Sequence, residues 1–423
     1  MLASSASEVD PGADRRQSPL FLRLTPPVQL LLLTQMMFNI GFYLVVPFLA
    51  VYMTQSLAAG GAMIGLVLGL RTFSQQGLFF LGGGLTDRFG VKPVLLVGIA
   101  IRVIGFIVTG LSRSTVDLMI GVILIGVAAA LFSPAAEAAL ADSGREAEES
   151  GRATRAEIFA LDSMFSRAGA LIGPILGAVL MSVDFALTCW VAAAIFTGLF
   201  LSHLLVIPAV RIESSTPVLT GWATVLRNRA FLVFAVAYST YLVAYNQQYL
   251  SLPVELTRAV GHQDALGWMF VYSSVLILCL QMPVTATFQF MATSRVLGIG
   301  FGVTAAGFLV LAVSAPLNPL PGIWAYAPAI GMLTLLHLGQ MIAIPVARDL
   351  VGVFAGERNL GAYFGFLNSF GGLAVLLSSL LLGMLIDAAD TAQPAAALPW
   401  GLLAGMSAAS AVALMVIARR IRA

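Results

Sequence analysis

From Thr25 to Arg419 the chain is a succession of long apolar runs separated by short polar breaks. A helix that crosses a bilayer needs about 20 mostly apolar residues. Twelve runs meet that length, at 27–54, 62–86, 93–111, 116–142, 156–182, 186–207, 229–254, 264–290, 295–314, 322–350, 359–387 and 396–418. Stretches such as Pro93 to Leu111 and Val296 to Ser314 are apolar on every side. The strands of an outer-membrane barrel are apolar only at alternate positions, so the spanning elements are predicted to be helices. The longest break, 208–228, is rich in Ser, Thr and Pro and falls at the midpoint. The pattern therefore predicts an all-α membrane protein of twelve helices in two six-helix bundles, 25–207 and 229–418, joined by the linker 208–228 and flanked by tails 1–24 and 419–423. Within the linker, Trp222 and Leu226 are spaced as on an amphipathic turn that rests on a membrane surface.

Composition narrows this reading. With 59% hydrophobic and 10% charged residues, and a mean hydropathy of +0.95, no water-soluble core hides the apolar surface. Residues 1–24 are polar and no small-residue cleavage site follows a short apolar core, so they are expected to be a cytoplasmic tail and not a cleaved signal. The placement of charge is more telling than the net +2. If both termini are cytoplasmic, the inside segments hold seventeen Arg and Lys residues and the outside segments only Arg113 and Arg258. The positive-inside rule then sets the orientation. Cys189 and Cys279 lie in separate apolar runs, and His203, His262 and His337 lack ligand spacing, so neither a disulfide framework nor a metal site is expected.

The two halves echo each other. Tyr43-Leu44-Val45-Val46-Pro47 in span 1 is matched by Tyr249-Leu250-Ser251-Leu252-Pro253 in span 7. Pro134-Ala135-Ala136-Glu137 in span 4 is matched by Pro345-Val346-Ala347-Arg348 in span 10. Repeated halves of this kind form a substrate site near the bilayer midplane, between the bundles.

Between spans 2 and 3 stands Gly83-Gly84-Leu85-Thr86-Asp87-Arg88-Phe89-Gly90-Val91-Lys92-Pro93. It resembles the loop signature of the major facilitator superfamily, G-x-L-a-D-R-x-G-r-K, departing at Thr86 and Val91. Gly90 suits a tight turn with positive φ. The resemblance implies a conformational latch of Gly83, Asp87, Arg88, Gly90 and Lys92, in which Asp87 faces the start of span 11 and Arg88 reaches Asp142 at the end of span 4. A carboxylate beside a helix N-terminus is stabilised by the helix dipole. In span 5, Gly169, Gly173, Pro174 and Gly177 resemble the antiporter motif G-x-x-x-G-P-x-x-G-G, with Ala178 replacing the last Gly. Small residues four apart allow close helix approach, and Pro174 bends the span; adjustable packing of span 5 on the other half is the expected result. The resemblance implies export. Gly69 to Leu78, Arg102 with Gly105-Phe106, Leu131-Phe132-Ser133-Pro134, and in the second half Pro345 to Arg348 and Gly361 to Phe366, are similar to the MdtH-type branch of bacterial multidrug carriers. The loop from Asp142 to Glu157 and the tail before span 1 depart from that branch.

Ionisable side chains at membrane depth are costly and mark functional sites. Here they are Arg71, Arg102, Glu137, Asp162 and Arg167. Span 4 lines the central cavity in the family that the chain resembles, which makes Glu137 the candidate proton acceptor, with Asp162 and Arg71 as further coupling candidates. Arg348, at the equivalent position of span 10, is expected to approach Glu137 when the cytoplasmic side closes. Asp162 and Arg167 form a second candidate couple, Arg102 reads as a structural ion-pair member, and Arg71 suits an anionic group in the cavity. The expected cavity lining is Gln35, Asn39 and Tyr43 from span 1, Arg71 and Gln75 from span 2, Tyr241, Tyr245, Asn246 and Gln248 from span 7, and Arg348. Apolar and aromatic walls with a few polar groups suit drug-sized ligands.

These readings together predict proton-coupled export of lipophilic small molecules from a bacterial cytoplasmic membrane by alternating access. The expected partners are a small-molecule substrate, protons and the lipid bilayer; no nucleic acid is expected, and a monomer is. No cofactor is expected, because no G-x-x-x-x-G-K-[ST] loop is present and the proton gradient supplies the energy. The rivals are a proton-coupled uptake carrier for a polar nutrient or peptide, and an exporter of a native lipid or siderophore. An enzyme would need a nucleophile with its base, or a metal cluster, at membrane depth, and the sequence offers neither.

Overall fold

The computed structural model describes residues 20–207, 222–288, 290–355, 360–389 and 391–422. The tail up to residue 19, linker residues 208–221 and the basic residue Arg358 lie outside the described residues. Among those described, eleven helices are long and apolar enough to cross a membrane. The helix Arg229–Leu250 is as long as its neighbours, with 22 residues. It misses the apolarity of a span because Asn246, Gln247 and Gln248 ride on it, and all three are buried. With it the helices number twelve among the described residues, as the hydrophobic pattern predicts.

In the first bundle span 3 (Val91–Gly110) packs on span 4 (Thr115–Glu149), span 1 (Pro26–Val45, continued by Leu49–Ser56) packs on span 5 (Arg155–Met181), and span 6 (Phe185–Val206) bridges spans 1 and 3. In the second, span 9 (Thr293–Ser314) packs on span 10 (Ala327–Ala355) and span 12 (Leu398–Arg422), while span 7 (Arg229–Leu250) touches span 12 and span 11 (Leu360–Ile386). Between the bundles, span 2 (Gly61–Thr72, continued by Phe79–Phe89) lies along span 11, and span 5 lies along span 8 (Leu266–Phe288). Exchanging each span for its counterpart in the other half, 2 for 8 and 11 for 5, converts the first of these two contacts into the second. The interface therefore obeys the repeat seen in the sequence. Side chains such as Leu205, Met282 and Val313 are exposed around the outside, where lipid tails solvate them.

The proline echoes have structural counterparts. Pro47 sits in the tight turn Val46–Phe48 that breaks span 1, and Pro253 opens the helix Leu252–Val260 directly after span 7. Pro134 and Pro345 both lie inside continuous helices. Span 4 runs further than predicted, to Glu149, a helix of 35 residues and about 52 Å. Its extra turns, Ser143 to Glu149, are charged, but five of their seven residues, Arg145, Glu146, Ala147, Glu148 and Glu149, are strong helix formers. Hydrophobicity ends where the helix does not. Thr154 then starts span 5 with a reciprocal capping box to Glu157.

Candidate functional site

Span 2 is the axis of the site. Its first turns carry a glycine every fourth residue, and these face span 11: a Cβ on Gly61 would run into the Gly383 carbonyl, one on Gly65 into the Ser379 carbonyl, and one on Gly69 would lie 3.1 Å from the Leu376 Cα. Backbones meet here without side chains between them. At the end of this seam the Asp387 carboxylate accepts a 2.9 Å hydrogen bond from the Gly61 N–H, the start of span 2. A carboxylate at a helix N-terminus gains from the dipole. Spans 5 and 8 close on each other near the same face, where Gly267 meets Ala178 and the Pro174 carbonyl, and the Ser274 hydroxyl donates to the Ala170 carbonyl at 3.1 Å.

Halfway along, span 2 widens into a π turn, Phe73–Gly77. Such turns free backbone groups and recur at functional sites; here the Gly77 carbonyl accepts from the Ser369 hydroxyl of span 11 at 3.1 Å. Beside the turn is a cavity of about 200 Å³ between the bundles, lined from span 1 by Phe38, Asn39, Phe42 and Tyr43, from span 2 by Arg71, Thr72, Gln75 and Gln76, and from span 7 by Leu242, Tyr245, Asn246 and Tyr249. Polar links cross it: the Tyr43 and Tyr245 hydroxyls lie 3.2 Å apart, and the Asn246 amide donates to the Thr72 hydroxyl at 3.3 Å. The Tyr249 hydroxyl donates to that of Tyr245 at 3.3 Å. The Arg71 guanidinium donates to the Gln75 side-chain carbonyl and lies over the Phe42 ring, 4.5 Å from its centroid, while its Nε has no hydrogen-bond partner.

A second cavity, of about 170 Å³, lies toward the opposite, arginine-rich face and is lined by Gln35, Phe38, Asn39, Ser133, Glu137, Phe159 and Asp162 among others. Phe38 and Asn39 border both cavities. Glu137 and Arg348 are exposed on this side, and Glu137 senses the charges of Arg348 and Asp162. No salt bridge among the described residues joins Glu137 to Arg348. The interface is thus tight at the Gly61 end and open around Glu137.

The predicted lining divides between these places. Asn39, Tyr43, Arg71, Gln75, Tyr245 and Asn246 come together in the first cavity, and Gln35 joins Glu137 in the second. Gln248 is a correction: it is 2% exposed, its amide nitrogen has no partner, and it does not line the Arg71 cavity, because it projects two residues round the helix from Asn246. Tyr241 packs on Tyr238, with ring centroids 4.7 Å apart, and offers its backbone carbonyl to Gln340. Asp162 and Arg167 form no salt bridge; five residues on a helix are turned by about 140° and diverge. Arg102 is no ion-pair member either. It is 1% exposed, caged by the rings of Phe38, Phe196 and Phe106 at 3.6, 4.8 and 5.5 Å, and none of its guanidinium nitrogens has a hydrogen-bond partner.

The motif glycines are also redirected. Gly169, Gly173 and Gly177 pack on span 1, against Met36, Tyr43 and Phe48, within their own bundle. Contact with span 8 of the other half is made by Ala170, Pro174 and Ala178, of which Pro174 belongs to the motif and Ala178 departs from it. Gly90 has φ +86°, as the tight turn requires. Lys92 donates to the Leu204 carbonyl at 3.0 Å in the last turn of span 6, and Arg88 lies 5.4 Å over Phe89. Gly83 has open space where a Cβ would go, whereas Gly82 abuts the Ala130 carbonyl of span 4. Asp142 is exposed and pairs at 3.5 Å with Arg145 of its own helix. The side chain of Asp87 lies outside the described residues. Sequence reasoning missed the Gly61, Gly65, Gly69 seam, whose four-residue spacing was visible, and Asp387, which only the three-dimensional approach of spans 2 and 11 brings to Gly61. It also missed the buried pair Glu255–Arg258 at 2.7 Å, which ties the helix after span 7 to the Leu317 carbonyl.

Comparison with known proteins agrees with this architecture. Residues 31–262 match the family described as Major Facilitator Superfamily. An uncharacterized MFS-type transporter of Mycobacterium tuberculosis is 32% identical over 382 residues, 88% of this chain and 88% of that protein. The multidrug resistance protein MdtH of Proteus mirabilis is 31% identical over 79% of this chain and 81% of its own length. Among solved structures, a peptide transporter POT mutant superposes with a TM-score of 0.76 at 16% identity, covering 96% of this chain and 98% of that one. A mutant of the nucleoside transporter NupG gives 0.75 at 15% identity, covering 94% and 100%.

Proposed function

Because the chain belongs to the major facilitator superfamily, we propose that it is a proton-coupled exporter of lipophilic, drug-like small molecules that works by alternating access. Both termini and the linker face the cytoplasm of a bacterial cell in this reading, so the arginine-rich face is the inner one. The observation that carries the proposal is the asymmetric interface: a polar, aromatic cavity between the bundles, sealed by the glycine seam at one end and leading toward exposed Glu137 at the other. One sealed end and one open end is what a single state of an alternating-access carrier requires. The direction rests on relatives named multidrug resistance proteins and on the Gly169 to Gly177 motif. Glu137 is the proton acceptor of the mechanism. It stands in the open half, near enough to Asp162 and Arg348 for their charges to bias its protonation.

A carboxylate that carries protons between two faces must lose its charge to cross a closed, low-dielectric state, since an unpaired buried ion is costly. Proton binding at Glu137 would therefore license one closure, and substrate the other. Cells expressing the chain should retain less of a lipophilic dye than control cells until an uncoupler collapses the gradient. Dye retention equal to that of control cells, with uncoupler-sensitive accumulation of a polar solute, would convert the reading to uptake.

A further inference from the structure

The polar wall of the Arg71 cavity carries a cation and no acid. Arg71 is 5% exposed, its Nε is unpartnered, and no salt bridge among the described residues includes it. The lining holds no Asp or Glu; Glu137 and Asp162 lie in the neighbouring cavity, with Phe38 between. A second buried cation, Arg102, stacks on that same Phe38 ring at 3.6 Å and is close enough to sense Arg71. A guanidinium has five donors in a planar fork that matches a carboxylate. Among the described residues, the one side-chain acceptor of an Arg71 hydrogen bond is Gln75. Around it stand phenol hydroxyls and amide groups that donate hydrogen bonds, and the Phe42 face offers a flat apolar surface. Buried positive charge without an internal counter-ion is destabilising, and an arriving anion relieves it.

We infer that the cavity selects organic carboxylates: an anionic head on Arg71 and an aromatic or aliphatic body against Phe42 and Phe38. This rests on the reading of the cavity as the transport site and specifies its substrate class. A lipophilic cation, by contrast, meets the Arg71 guanidinium, with a second positive charge, Arg102, behind the Phe38 ring, and no carboxylate in the lining. The volume of about 200 Å³ suits a compact aromatic acid.

The test is calorimetric titration of the full-length protein in lipid nanodiscs, without any gradient and with empty nanodiscs subtracted. The probes are naphthoate, naphthamide and naphthylmethylammonium, which share a ring system and differ in charge. Naphthoate should bind about 10- to 100-fold more tightly than naphthamide, the worth of a charge-assisted hydrogen bond, and the ammonium probe most weakly. Arg71→Gln should bring naphthoate to the level of the amide, and Arg71→Lys should keep a preference for the acid. The inference is overturned if the amide or the ammonium binds as tightly as naphthoate, if none of the three binds, or if Arg71→Gln keeps the full preference. The probe series on the unaltered protein decides the matter even where a variant fails to fold. Dye export is read separately: export with no preference for the acid sinks this inference alone, and preference for the acid without export sinks the exporter alone.

Discussion

The two ends of the interface between the bundles are built from opposite materials. At the Gly61 end, backbone meets backbone through Gly61, Gly65 and Gly383, and one carboxylate, Asp387, caps the start of span 2. At the Glu137 end, Glu137 and Arg348 stand exposed, and no salt bridge among the described residues joins them. A contact without side chains is either made or lost, so it suits a seal; charges that can be paired, protonated or hydrated suit a gate that responds to its surroundings. The capping carboxylate sharpens the contrast. The loop signature predicts Asp87 against the start of span 11 on the arginine-rich face, and the structure places Asp387, at the end of span 11, against the start of span 2 on the other. If the latch implied by the signature forms, the same two spans would exchange roles between the two faces, with a carboxylate at a helix N-terminus on each.

Substitutions at the two ends should therefore fail differently. The largest effect is expected of Glu137→Gln, which removes the proposed proton acceptor: uphill export driven by an imposed pH gradient in proteoliposomes should vanish, while exchange down a substrate gradient persists. Normal uphill rates would remove Glu137 from the mechanism. Next is Gly65→Leu, whose side chain has no room against Ser379 and Gly383. Overpacking costs about 1–3 kcal/mol and here penalises only the sealed state. A cysteine at Thr72, 4% exposed in the sealed form, should then react about 5- to 150-fold faster with an impermeant thiol reagent added outside. Gly302→Leu, which meets open space, should leave that rate unchanged.

Asp387→Ala should act in the same sense as Gly65→Leu and more weakly, since loss of a helix cap costs about 0.5–2 kcal/mol. The same labelling rate would rise by about 2- to 30-fold. The smallest effect belongs to Tyr43→Phe, which breaks one hydrogen bond across the bundles. Such bonds average about 0.6 kcal/mol in membranes, so labelling should rise by about threefold. A reversal of order, with Tyr43→Phe exceeding Gly65→Leu, would place the seal in the tyrosine network and not in the glycines.

Much of this was written in the sequence. The apolar runs located the spans because lipid demands length and apolarity and little else, and the polar faces of spans 1, 2 and 7 named half of the cavity. What stayed hidden depends on which way a helix turns. Gly169, Gly173 and Gly177 announce a close contact, and nothing along the chain says whether span 1 or span 8 receives it. Arg102 read as an ion-pair member because a charge at membrane depth calls for a counter-ion; its partners, Phe38 and Phe196, come from spans 1 and 6. The π turn at Phe73–Gly77 was not read from residue type either; its Gly77 carbonyl meets Ser369 of span 11, a contact between distant parts of the chain.

Spin-label distances test the central claim, a single cavity opened alternately to the two sides, most directly. With Cys189 and Cys279 replaced, one label pair would bridge the exposed positions Glu146 and Val353 on the arginine-rich face, and another Gln55 and Thr391 on the opposite face. Lowering the pH in the presence of a transported dye should shorten the first distance and lengthen the second within the same population. Distances that change in the same sense, or an opposite-face pair that never lengthens under any condition, would contradict alternating access.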